Sequence, residues 1–171
     1  RSQFVLGKYL GLTFTLLINL AMMAVALYAV LAYFDWTATP GLRASWEAPA
    51  LDPRMLAAFA LIGVELMLIT ATALFFSTFS SPFLSVALTV GVYIIGHFSE
   101  DLKHIDTIVK SPALATVSRG LYYIMPNLTS LDIKSEVVHG QSVAALHMLS
   151  AGVTSSLFIA LLVLGATIVF S

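Results

Sequence analysis

The 171-residue chain contains no cysteine at all and very little charge. Without Cys there is no disulfide framework and no thiolate metal site, while the redox compartment stays open. Charged residues make up only 10% of the chain and apolar residues 59%, with a mean hydropathy of +0.96. Soluble domains lie nearer about 45–50% apolar and about 25% charged, so a soluble globular fold is excluded as the first expectation. A formal net charge of −1 and the lack of any basic cluster give no reason to expect nucleic acid as a partner. The long apolar runs are continuous rather than alternating, which favours transmembrane helices over a β-barrel. The expected fold class is therefore all-α: a polytopic membrane bundle whose solvent is lipid.

The most informative stretch runs from Arg54 to Asp101. Residues 55–76 are almost wholly hydrophobic with Glu65 the only charge, Ser77-Thr78-Phe79-Ser80-Ser81-Pro82 interrupts them, and residues 83–98 resume the apolar run. About 20 apolar residues cross a hydrocarbon core of roughly 30 Å as a helix. Pro removes a backbone donor and pushes its predecessor out of the helical region, so the interruption predicts a tight turn. The pattern predicts a helical hairpin with almost no loop.

Four spans are expected, at about residues 9–34, 54–76, 82–98 and 146–169, in one transmembrane domain. The third covers only about 25 Å and is marginal for crossing, so a re-entrant segment is its alternative reading. Tyr28, Tyr33 and Trp36 gather at the end of the first span, as aromatic belts do at head-group level. Residues 35–53 form a Pro-rich connector holding Trp36 and Trp46, read as interfacial, with an aromatic ligand platform as the competing use. Composition changes over residues 100–145, which carry four of the eight Lys/Arg and five of the nine Asp/Glu. That segment is expected to be extramembrane. Ser111-Pro112 and the spacing of Leu114, Val117, Leu121, Ile124 and Met125 predict an amphipathic interfacial helix over about 112–125. In the last span Gly152, Thr154, Ser155, Ser156 and Gly165 allow close helix packing in lipid.

Polar residues within the spans are the candidate site. Glu65 lies near the middle of the second span, where an ionised group costs several kcal/mol, about 2.5–3.5 on insertion scales for Asp, Lys or Arg. It is either a protonated interhelical hydrogen-bonding group or a pathway residue. Asn19, about a third of the way along the first span, is expected to seek a partner on another helix or to line a pathway. His97, Glu100, Asp101 and His104 fall at i, i+3, i+4 and i+7, on one face if the third helix continues. Imidazole and carboxylate are donors a divalent metal takes. The competing reading is a wet helix end, and no metal is assigned. No hydrolase motif, Ser–His–Asp constellation or nucleotide-binding loop is legible, so no catalytic residue is expected in this chain.

Several stretches resemble a known family. Phe4-Val5-Leu6-Gly7-Lys8-Tyr9-Leu10-Gly11 resembles the segment entering a central span in type-2 ATP-binding-cassette (ABC) exporter permeases. Leu74-Phe75-Phe76-Ser77-Thr78-Phe79-Ser80-Ser81-Pro82, Gly96-His97-Phe98-Ser99-Glu100-Asp101-Leu102 and Tyr122-Tyr123-Ile124-Met125-Pro126-Asn127-Leu128 look like a bacterial branch of those permeases. The last of these, followed by Lys134 and Val138-His139-Gly140, is the most distinctive.

The resemblance implies the last four of six spans of a permease that forms half of a dimeric pathway, as a homo- or heterodimer. It implies a separate cytoplasmic ATP-binding subunit that binds ATP and Mg, and no cofactor in this chain. It also implies a multi-pass protein of the bacterial inner membrane with both ends of the segment cytoplasmic. The opening Arg1-Ser2-Gln3, without an initiator Met, agrees with a fragment of a longer protein. The charge count pulls the other way on orientation. Two Lys/Arg, Arg1 and Lys8, fall on the terminal side, and six, Arg43, Arg54, Lys103, Lys110, Arg119 and Lys134, on the opposite side. The family orientation is preferred because the count lacks its flanking sequence. A metal-dependent membrane-embedded enzyme using the His97–His104 face and a non-transporting membrane scaffold are the other function classes.

Overall fold

In a computed structural model, the described residues are 2–46, 48–98, 120, 126–133, 137, 139 and 145–169. Their regular structure is helical, with no strand among them. The helices are α1 (Ser2–Thr37), α2 (Pro40–Arg43), α3 (Arg54–Ser77), α4 (Pro82–His97) and α5 (Ala145–Val169), with a 3-10 turn at Thr129–Leu131. Three of them, α1, α3 and α5, are long and apolar enough to cross a membrane. The chain is thus a helical membrane protein by length and composition.

The apolar run expected over 9–34 lies inside the longer α1. Its last turn is held by the Thr37 hydroxyl, which donates to the Tyr33 carbonyl at 2.9 Å. Pro40, at the first position of α2, marks the break that follows.

The central helix is α3, which touches α1, α4 and α5. Its buried positions, among them Ala58, Leu61, Gly63, Leu68, Ala71 and Leu74, fall on several faces, as a helix surrounded by others requires. Leu68 and Ala71 are almost fully enclosed. Lipid tails are as apolar as Leu, so close van der Waals packing rather than escape from water joins these helices. Small residues permit it: Gly165 of α5 lies where an added Cβ would stand 3.1 Å from the Phe75 ring of α3.

Two apolar clusters fix the helix directions. At one end Ala58 and Leu61 of α3 pack with Ala151 of α5, and with Leu128, Leu131, Ile133 and Val137. At the other, Ala71 and Leu74 of α3 pack with Val163 and Ala166 of α5 and with Val5 and Tyr9 of α1. So α5 runs parallel to α3, and α1 runs antiparallel to both.

The expected hairpin is present. Between α3 and α4 the chain turns over Thr78–Ser81, and the Ser81 side chain caps α4 by accepting from the Leu84 N–H at 3.4 Å. Pro82 stands in the first turn, where its missing donor costs nothing. Phe75 and Phe79 meet edge to face at 5.3 Å beside this turn.

At 16 residues α4 is about 24 Å long, against about 36 Å for the 24-residue α3. It ends at His97, capped by Phe98, short of the Arg54 end of the bundle. Residues 126–133 then lie against that end. The Leu128 N–H donates to the Gly96 carbonyl at 3.1 Å, and the Thr129 hydroxyl donates to the His97 carbonyl at 2.7 Å. Carbonyls at a helix end have no intrahelical donor, and irregular backbone at this depth is tolerated only where protein covers it. Gly96 makes the docking possible, since a Cβ there would stand 2.9 Å from the Pro126 carbonyl oxygen. Of the interfacial helix expected over 112–125, only Gly120 is described, and it is helical. The rest of that prediction lies outside the described residues.

Candidate functional site

The polar groups that the structure brings together come from three separate parts of the chain. Glu65 lies eleven residues into α3, roughly 16 Å along its axis, and is buried. His97 is the last residue of α4, and Asp132 follows the 3-10 turn. His97 Nε2 stands 3.9 Å from Glu65 Oε1 and 4.0 Å from Asp132 Oδ2. The Glu65 side chain is 7% exposed, His97 23% and Asp132 36%, so the group grades from the bundle interior outward.

His97 is held by local structure. Tyr93, one turn before His97 on α4, lies against the imidazole with ring centroids 4.6 Å apart. The His97 backbone is tied by Thr129, two residues after Pro126-Asn127, where the Asn127 side chain accepts from the Ser130 N–H at 3.2 Å. His97 Nδ1 is buried and has no hydrogen-bond partner among the described residues. The imidazole presents its Nε2 towards two carboxylates. Both separations exceed direct hydrogen-bond length and lie within ion-pairing range. Such a group sets an imidazole between a carboxylate inside the bundle and one at its edge.

Compared with known proteins, the chain matches no family model, no curated protein and no solved structure. The geometry stands by itself.

The sequence candidates are distributed as follows. Glu65 and His97, assigned to separate groups by sequence, are in contact. Glu100, Asp101 and His104 lie outside the described residues, and α4 stops at His97. Among the described residues no group of three or more His, Cys, Asp or Glu is arranged to hold a metal ion. Among the described residues Asn19 reaches no other helix: its amide donates to the Thr15 carbonyl, one turn earlier on α1, at 2.8 Å, and the residue faces outward. Backbone acceptance within the helix supplies the partner that was expected from a neighbour. Thr72, another polar group on α3, is buried and donates to the Leu68 carbonyl at 2.8 Å, again within its own helix.

Sequence reasoning missed Asp132, Thr129 and Tyr93. The i, i+4 spacing of Tyr93 and His97 was a legible signal. Nothing local marks Asp132, which reaches the site only because residues 126–133 dock on the end of α4.

Proposed function

We propose that this chain is the membrane-spanning permease subunit of an ABC-type transporter, an exporter driven by a separate ATPase subunit. One observation carries the reading. Two stretches that resemble type-2 ABC permeases, ending α4 at Gly96-His97-Phe98 and resuming at Pro126-Asn127-Leu128, bond to one another beside the buried Glu65. Ionisable groups inside a membrane bundle are expensive and mark pathways or relays by default. Glu65 and His97 are the residues proposed to face the route, with Asp132 at its outer edge.

In this reading the chain crosses the bilayer four times. The clusters put the start of α1 and the end of α5 at the same end of the bundle, as four crossings require. The fourth is made by α4, the shortest of them, with residues 126–133 packed on its end. Both ends face the cytoplasm of a bacterial cell, a second permease subunit completes the pathway, and ATP and Mg belong to the cytoplasmic partner.

Purification of the full-length protein in mild detergent tests this. The expected result is a stoichiometric complex with a nucleotide-binding subunit carrying a phosphate-binding loop. A chain that purifies intact and active in any other role without such a subunit would overturn it.

A further inference from the structure

A second polar feature lies where α1 ends and the connector to α3 begins. A cavity of about 420 Å³ opens there, lined by Asp35 of α1, Arg43 of α2, Trp46, and the apolar Pro49 and Leu51. Ligand pockets of this kind hold about 300–1,000 Å³. Arg43 Nε lies 3.4 Å from Asp35 Oδ1, and Arg43 Nη2 donates to the Asp35 carbonyl. Both side chains remain nearly half exposed, so the pair contributes little stability by itself. Tyr33, Phe34 and Trp36 stand exposed on the last turns of α1 beside it. That aromatic group puts the cavity at head-group level.

We infer that this cavity binds the zwitterionic head group of a phospholipid, with its phosphodiester on Arg43 and its ammonium between Asp35 and Trp46. The guanidinium has five N–H donors, and two are committed to Asp35. The remainder present a fork suited to two phosphate oxygens. Asp35 Oδ2 is left for an ammonium group, and an indole face attracts the same cation. A purely anionic head group would meet Arg43 with Asp35 beside it as a repelling charge, so both signs together select the zwitterion. Pro49 and Leu51 give an apolar wall beneath the charges, as a glycerol backbone and upper acyl chain require. The inference needs only a membrane and is independent of the transporter reading.

The chain's two tryptophans make the test direct. A Trp36→Phe variant of the full polypeptide leaves Trp46 as sole indole reporter in detergent micelles. It is titrated separately with phosphatidylethanolamine, with phosphatidylglycerol and with water-soluble glycerophosphoethanolamine. The expected result is a saturating change in Trp46 emission, with phosphatidylethanolamine half-saturating at a lower mole fraction than phosphatidylglycerol. Arg43→Gln should weaken both lipids about tenfold, as loss of one charge-assisted contact implies. Asp35→Asn should abolish the preference between them, weakening phosphatidylethanolamine and strengthening phosphatidylglycerol, because the charge that holds the ammonium and repels the anion is gone. Circular dichroism of each variant confirms that helix content is retained. Equal midpoints for the two lipids, an unaffected Arg43→Gln protein of native helicity, or equal response to the soluble head group would overturn the assignment.

Discussion

His97 Nε2 lies 3.9 Å from Glu65 Oε1, joining the last residue of α4 to the middle of α3. If the two side chains interact, their substitutions cannot be independent. Thermal unfolding of Glu65→Gln, His97→Gln and the double variant in detergent should give a coupling energy within about 0.5–3 kcal/mol. Additive effects would mean that the contact contributes nothing.

Gly96 should not tolerate a methyl group. Its Cβ would stand 2.8 Å from Leu128 Cδ1 and 2.9 Å from the Pro126 carbonyl oxygen, and a backbone oxygen has little room to yield. Gly96→Ala is expected to destabilise by about 1–3 kcal/mol, the usual range for overpacking. Leu128→Ala in the same background relieves only the side-chain half of the clash, so it should not restore the native unfolding temperature.

Asp52 fastens α1 to the start of α3. Its carboxylate accepts from the Arg54 N–H at 2.8 Å, and its carbonyl accepts from the Tyr28 hydroxyl at 2.9 Å. Asp52 is itself buried. Tyr28→Phe removes one bond and should cost about 0.5–1.5 kcal/mol. Asp52→Ala leaves a backbone donor without its acceptor at the entry to α3 and should cost about 1–2 kcal/mol. Unfolding midpoints of the two variants in one detergent check the order.

The end-to-end packing predicts that Ser2 and residue 169 emerge on the same side of the membrane, with Ala48 on the other. A chain without cysteine allows single-Cys labelling with no background. Ser2→Cys and Val169→Cys should react from one side and Ala48→Cys from the opposite side. Labelling of Ser2→Cys from the cytoplasm would also decide the orientation against the simple Lys/Arg count.

Much of this architecture is legible in the sequence because lipid imposes a coarse rule on it. The boundaries of α3, α4 and α5 follow the apolar runs to within a residue or two, and Ser81-Pro82 writes the hairpin turn locally. What escapes is the docking of residues 126–133 on the end of α4. That contact joins Gly96 to Leu128 through a backbone hydrogen bond, which no side-chain pattern announces. Asp132 was missed for the same reason. The bond of Asn19 within its own helix escapes too, because a short amide can bond to the carbonyl one turn back, which periodicity does not distinguish from a cross-helix partner.

The most direct test concerns whether Glu65 faces a water-accessible route. Glu65→Cys, in this cysteine-free chain assembled with the ATPase subunit that the transporter reading proposes, can be challenged with a small hydrophilic thiol reagent with and without ATP turnover. The transporter reading predicts modification that depends on the nucleotide state, since alternating access exposes the middle of α3 in turn. A thiol at position 65 that stays unreactive in every state, in a complex still turning over ATP, would contradict it.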